Sequence, residues 1–111
     1  MAVLDAVTDQ RVLDAIERLS RRCRLRAAYL FGSRADGTAD AFSDVDIAVF
    51  IEGLEDWDFE KRIQVIVELQ AERGDDLEFH FFPTESLTNP PRASFAEFIL
   101  RHGVLIRSND P

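Results

Sequence analysis

The stretch FGSRADGTADAFSDVDIAVF, from Phe31 to Phe50, joins two short apolar segments through a polar loop. A Gly-Ser pair, Gly32 and Ser33, ends the first apolar segment, and an Asp-x-Asp pair, Asp44 and Asp46, begins the second. Short apolar segments bounded by glycine and polar residues are typical of buried β-strands. The stretch therefore predicts two strands, with a glycine turn and two carboxylates side by side at one end of a sheet.

Further elements are predicted on both sides of this stretch from apolar periodicity and from caps. The predicted order is a helix over 8–23 capped by Thr8 or Asp9, strands over 25–31 and 45–51, a helix from Asp56 to Gly74, a strand over 76–82, a helix begun by Pro91 and ended by Gly103, and an edge strand over 104–107. The residues predicted to carry the helical pattern are Leu13, Ile16, Leu19 and Cys23 in the first helix, Phe59, Ile63, Ile66, Val67 and Gln70 in the second, and Phe95, Phe98 and Ile99 in the last. This order predicts a sheet with helices packed against it.

Composition limits the class of protein. A chain of 111 residues with 46% hydrophobic residues is the size of one globular domain, here 1–111. Cys23 is the one cysteine, so no internal disulfide can form. The formal net charge of -8 argues against nonspecific nucleic-acid binding, which needs Lys and Arg. We expect no membrane span, because no apolar run approaches the ~20 residues that a transmembrane helix requires. We also expect a cytoplasmic protein, because the first ten residues lack the basic segment of a signal peptide.

The Gly-Ser pair has two interpretations. Glycine at a strand end allows a sharp turn and a close approach by a ligand, and free N–H groups after it form a phosphate site. Taken alone, the pair is better interpreted as an ordinary turn. Arg34 follows at once and could reach a phosphate through charge-assisted hydrogen bonds, or could pair with a nearby acid.

The Asp-x-Asp pair also has two interpretations. Residues i and i+2 of a strand share a face, so the carboxylates of Asp44 and Asp46 would project together, with their Cα atoms roughly 6–7 Å apart. Val45, Ile47 and Val49 would then point into the core. Adjacent carboxylates favour a cation, and their hard oxygens suit Mg²⁺ or Mn²⁺. The alternative is a polar strand entry with no ligand.

Together the two pairs resemble a known signature. GSRADGTADAFSDVDIAV, residues 32–49, is similar to the G-S-x-x-x-G-x(5)-S-D-x-D motif of the polymerase β superfamily of nucleotidyltransferases, and in particular to its minimal nucleotidyltransferases. The resemblance extends over about 8–107. It implies a nucleotidyltransferase fold of class α/β (α+β), a small mixed sheet of three to four strands with helices packed against it.

The resemblance also implies roles for individual residues. Gly32 and Ser33 would hold the phosphates of ATP or another nucleoside triphosphate, with Arg34 and Ser43 completing the nucleotide site. Asp44 and Asp46 would bind Mg²⁺ or Mn²⁺.

A third carboxylate on the following strand would share a metal and activate the attacking hydroxyl. Glu78 is the candidate, although the family often has Asp there, and Asp76 is the alternative. His80 either binds substrate or acts near the metal, or it is a structural histidine on the strand. Trp57 is expected to pack the start of its helix.

Two functions follow. The first is transfer of a nucleoside monophosphate, AMP from ATP, to a hydroxyl acceptor, with the acceptor site completed by a partner or by oligomerisation. Small relatives often act as the antitoxin beside a HEPN-like protein, so the resemblance implies such a partner. The second is a module that binds a nucleotide or a partner protein with weak catalysis or none.

Overall fold

The computed structural model describes residues 10–32, 44–74 and 76–109. Thr8 and Asp9, the predicted caps of the first helix, lie outside these residues. In chain order the elements are α1 (Gln10–Arg22), β1 (Arg24–Phe31), β2 (Val45–Glu52), a short 3₁₀ turn (Leu54–Asp56), α2 (Phe59–Arg73), β3 (Leu77–Pro83), α3 (Glu85–Thr88), α4 (Phe95–His102) and β4 (Val104–Ser108).

Within the described residues, four strands form one mixed sheet in the order β3-β2-β1-β4. β1 pairs antiparallel with β2 and with β4, and β2 pairs parallel with β3 through the α2 crossover. The predicted mixed sheet and edge strand are confirmed. Across the described ranges, every helix is too short or too polar to traverse a bilayer.

The main core lies between one face of the sheet and helices α1 and α2. As predicted, Val45, Ile47 and Val49 point into it, and each is at most 2% exposed. The helices contribute apolar side chains from one side of each, among them Leu19 of α1 and Leu69 of α2. A continuous apolar layer therefore fixes β2 and β3, the strands that carry the acidic residues.

A smaller core covers the opposite face of the sheet. Ala48 and Phe50 of β2 pack there against Ala96 and Ile99 of α4. Helix α4 has only eight residues, and it covers part of this face. Asp46, which lies on the same side of β2 as Ala48 and Phe50, stays partly exposed.

Two helix starts differ from the prediction. Helix α2 begins after Asp58, not Asp56, because the Asp58 carboxylate accepts a hydrogen bond from the Lys61 N–H at 2.7 Å. Helix α4 begins after Ser94, not at Pro91, because the Ser94 hydroxyl accepts from the Glu97 N–H. The predicted ends of both helices, at Gly74 and Gly103, are confirmed, because the N–H of each glycine donates to a carbonyl of the last helical turn. The short helix α3 carries too few residues to show a pattern.

Several side chains predicted to face the core are exposed. Leu13, Phe59, Ile63, Val67, Phe95 and Phe98 are all more than a third exposed. In each helix a neighbouring face is buried, marked by Val12 and Ala15 in α1, Val65 and Leu69 in α2, and Ala96 in α4. Apolar residues occur on both sides of these helices, so periodicity alone selected the wrong side in α2.

Two residues predicted to be structural are confirmed as such. Trp57 is buried beside Phe81, with their ring centroids 5.7 Å apart, and the Lys61 ammonium lies 4.5 Å from the Trp57 ring. Cys23 packs against the main core, and its thiol donates to the Leu19 carbonyl at 3.2 Å.

Candidate active site

The acidic residues meet where three strands align. Phe31 at the end of β1 is paired with Asp46 near the start of β2, and Asp46 is paired with Glu78 near the start of β3. Registered residues of neighbouring strands project to the same face about 5 Å apart. The antiparallel β1–β2 pair and the parallel β2–β3 pair thus bring the Gly32 turn and the two carboxylates to one end of the sheet.

Three side chains form a compact group of potential ligands. One ligand atom from each of Asp46, Glu78 and His80 lies within 4.8 Å of the other two. The His80 Nε2 lies 3.4 Å from the Asp46 Oδ1. His80 follows Glu78 by two residues, so both point to the same face of β3. The side chains of Asp46 and His80 are 24% and 34% exposed, so the group is open to solvent.

Negative charge accumulates on this group. The pKa of Glu78 is raised, first because its carboxyl hydrogen-bonds with that of Asp46, and then because of partial desolvation and the charges of Asp44 and Asp46. The electrostatic interaction with His80 lowers the pKa of Glu78 and so acts in the opposite direction. Two carboxylates that share a site disfavour each other's ionised form. A cation placed between them would relieve this repulsion.

Asp44 does not join Asp46 in this group, although the two carboxylates were predicted to project together. It is exposed and precedes β2, which begins at Val45. Its charge acts on Glu78, but its carboxylate is not one of the three clustered ligand groups. Strand pairing fixes Asp46 opposite Glu78, whereas Asp44 lies before the first registered pair. The structure therefore brings Asp46 and Glu78 together and leaves Asp44 at the edge.

Gly32 fits closely against Asp46. Its φ of +79° lies in the left-handed region, and a Cβ added to it would lie 2.6 Å from the Asp46 Oδ2. A side chain at this position would have to displace the carboxylate. The glycine therefore both allows the turn after β1 and leaves space for the Asp46 carboxylate.

Aromatic rings border the group on one side. The ring centroid of His80 lies 5.0 Å from that of Phe31 and 6.0 Å from that of Phe95, both in edge-to-face geometry. Phe31 and Phe95 are 5.3 Å apart. Phe95, at the start of α4, is half exposed. Sequence reasoning assigned Phe95 to the core, and no signal in the sequence places α4 beside β3.

Other predicted residues are placed as follows. Ser33, Arg34 and Ser43 lie outside the described residues. Asp76, the alternative third carboxylate, precedes β3 and forms an ion pair with Arg11 of α1 through contacts of 2.9 and 3.1 Å. Of these two candidates, Glu78 is the one that meets Asp46.

Comparison with known proteins agrees with this arrangement. A family model described as "Polymerase beta, Nucleotidyltransferase" matches residues 14–111. The crystal structure of a proposed nucleotidyltransferase from Sulfolobus solfataricus superimposes with a TM-score of 0.66 at 16% identity, covering 97% of this chain and 88% of that one. A toxin–antitoxin structure with AMP-PNP superimposes with a TM-score of 0.55 at 23% identity, covering 86% of this chain and 73% of that one.

These superpositions establish a shared fold, and the nucleotidyltransferase fold expected from the sequence is confirmed. No curated protein sequence matches the chain. The family model spans most of the protein, including β1, β2 and β3 with their clustered side chains. The chain belongs to the polymerase β nucleotidyltransferase family.

Proposed function

We propose that this protein is a metal-dependent nucleotidyltransferase that moves a nucleoside monophosphate, AMP from ATP, to a hydroxyl acceptor. The observation that carries the proposal is the register pair of Asp46 and Glu78, whose carboxylates share one end of the sheet with His80. The pair lies over an apolar core, and its two carboxylates repel each other in the absence of a cation.

The side chains fit a divalent cation. Two carboxylates and an imidazole within 4.8 Å of one another supply ligand types that proteins use for divalent metals. Asp46 and Glu78 would hold Mg²⁺ or Mn²⁺, with Asp44 as a further ligand from the edge. When bound, the cation would supply charge stabilisation to the phosphates.

Glu78 and Asp46 have separate roles in the proposed reaction. The acceptor oxygen attacks the α-phosphorus of ATP, a new P–O bond forms, and the bond to the departing pyrophosphate breaks. Glu78 is the proposed base that takes the proton of the acceptor hydroxyl. Asp46, fixed between Phe31 and Glu78 by strand pairing, orients the site.

The phosphates would lie against the turn after β1. Gly32 leaves room beside Asp46, and Ser33, Arg34 and Ser43 are the proposed contacts to the β- and γ-phosphates. The sequence motif supports these assignments, and the position of Gly32 against Asp46 is consistent with them.

A protein partner is also proposed. One structure of similar fold is a toxin–antitoxin assembly with AMP-PNP. By analogy, this protein would act in the cytoplasm as the antitoxin of a pair, with a HEPN-like toxin as partner and acceptor. A homo-oligomer that completes the acceptor site is the other arrangement.

A second candidate function is a module that binds nucleotide or partner without transfer. The observation that favours it is the exclusion of Asp44 from the clustered ligand groups, together with Glu where the family often has Asp.

Label transfer tests the proposal. The purified protein is incubated with Mn²⁺ or Mg²⁺, α-labelled ATP and lysate from its source, beside an Asp46→Asn variant. Asp56→Asn is the matched control, since Asp56 is exposed in the turn after β2, at the other end of that strand. We expect a labelled product from the wild type and from Asp56→Asn only. Equal labelling by Asp46→Asn would contradict the proposed site, and no labelling by any form would favour the binding module.

A further inference from the structure

His80 is placed to bind the same ion as the two carboxylates. It lies on β3 two residues beyond Glu78, its Nε2 is 3.4 Å from the Asp46 Oδ1, and its ligand atom lies within 4.8 Å of both carboxylate groups. That distance from Asp46 is longer than a typical hydrogen bond of about 2.9 Å. Because this contact is long, the His80 Nε2 is available to bind a metal ion.

The imidazole ring is held in place by its neighbours. The edge-to-face contacts with Phe31 and Phe95, at 5.0 and 6.0 Å, confine the ring on one side. Since β3 pairs with β2 through Ala48 opposite His80, the backbone position of His80 is fixed as well. A preorganised nitrogen beside two carboxylates needs little rearrangement to bind a cation.

The chemical nature of this nitrogen distinguishes between metals. Mg²⁺ is a hard cation that is bound through carboxylates and water. Imidazole is a ligand for first-row transition ions, and among these Mn²⁺ is the one that, like Mg²⁺, also takes carboxylate and water ligands. A site of two carboxylates and one fixed imidazole should therefore discriminate against Mg²⁺.

We infer that His80 is an additional metal ligand that shifts this site's preference from Mg²⁺ towards a transition-metal ion such as Mn²⁺. The inference rests on the metal site of the proposed function, and it adds a residue that determines which metal is used. Asp46 and Glu78 would bind either ion, and His80 would determine the difference in affinity between Mn²⁺ and Mg²⁺.

The test compares dissociation constants for Mn²⁺ and Mg²⁺ in the wild type and in His80→Phe. Mn²⁺ binding is followed by electron paramagnetic resonance of the free ion, and Mg²⁺ binding by competition. Phenylalanine keeps a ring between Phe31 and Phe95 and removes the nitrogen. We expect the Kd for Mn²⁺ to rise at least about tenfold, and the Kd for Mg²⁺ to change less than about twofold. Circular dichroism verifies that the fold persists.

Two further variants complete the experiment. His80→Gln replaces the nitrogen by an amide oxygen, so it should lose Mn²⁺ preference and keep Mg²⁺ binding even if His80→Phe fails to fold. His102→Phe is the matched control, because His102 packs on Phe98 with centroids 4.8 Å apart and is not among the clustered ligand groups. It should leave both constants unchanged.

The outcomes separate this inference from the proposed function. Unchanged Mn²⁺ binding in both His80 variants would overturn the inference, and so would an equal loss of Mn²⁺ and Mg²⁺, which would mean that His80 only positions Asp46. If Asp46→Asn binds Mn²⁺ as tightly as the wild type, the metal site of the proposed function itself is wrong.

Discussion

Asp46 of β2 is the direct register partner of Glu78 of β3, so two acidic side chains of adjacent parallel strands share one face. The opposite face of both strands is closed by the apolar core, with Val45 and Leu77 buried directly beside them. Rigid packing on one side therefore holds two repelling carboxylates together on the other. Such a pair of carboxylates favours the binding of a cation and destabilises the folded protein when no cation is bound.

Removing one of these charges should stabilise the metal-free protein. Glu78→Gln keeps the shape and hydrogen-bonding capacity of the side chain and removes its repulsion with Asp46. We expect a higher thermal midpoint in the presence of a chelator, with a gain of less than about 1 kcal/mol because the site is partly exposed and screened. Glu85→Gln is the control, since Glu85 lies in α3, away from the cluster. A lower midpoint for Glu78→Gln would contradict the predicted repulsion.

Gly32→Ala should damage both stability and the site. The positive φ of Gly32 strains any other residue, and the added Cβ would lie 2.6 Å from the Asp46 carboxylate. We expect a loss of stability of about 1–3 kcal/mol, measured by urea unfolding, with metal binding reduced as well. Gly53→Ala is the matched control, because Gly53 has the same φ of +79° but nothing within 4 Å of its added Cβ. It should show the backbone strain alone, so equal metal affinity in the two variants would be evidence against the close fit.

Cys23 should react slowly in the folded protein. Burial raises the pKa of its thiol to about 11 from an ordinary value of 9.0. The thiolate is the reactive form, so alkylation by iodoacetamide at about pH 8 should be about 100-fold slower than in urea. Because the folded state holds the proton more tightly, the associated stability is present below the unfolded pKa and is lost as the pH rises towards about 11. Equal rates with and without urea would show that the thiol is not buried.

Two neighbouring valines of α2 test which face of the helix is buried. Val65 is 2% exposed and Val67 is 56% exposed. Val65→Ala should cost about 2 kcal/mol through lost burial and a residual cavity, whereas Val67→Ala should change stability by less than about 0.5 kcal/mol. Urea unfolding of both variants measures the difference. Similar losses at the two positions would mean that Val67 is covered in solution.

The sequence predicted the framework of the site better than its details. Alternating and apolar segments identified the four strands of the described residues. The Gly-Ser and Asp-x-Asp spacing placed Gly32 beside Asp46, and the resemblance to the family added Glu78. The pairing of Asp46 with Glu78 is a long-range register, which a single sequence does not display. For the same reason, Asp44 was expected beside Asp46 although strand pairing begins only after it.

The helix faces and the aromatic border were not predictable in the same way. Phe59, Ile63 and Val67 form an apolar series at helical spacing and lie in solvent, while Val65 and Leu69 face the sheet. Both series satisfy the periodicity, and only tertiary packing chooses between them. Phe95 lies near His80 because the start of α4 packs against the aromatic rings of β3, and no local pattern encodes this long-range contact.

The most direct test of the central claim is the binding of ATP, followed by calorimetry with and without Mn²⁺. If the Asp46–Glu78 pair is the metal and nucleotide site, wild type and Asp56→Asn should bind ATP tightly only with Mn²⁺, and Asp46→Asn should bind it at least about tenfold more weakly. Equal, Mn²⁺-dependent binding of ATP by Asp46→Asn and the wild type would place the site elsewhere and contradict the account.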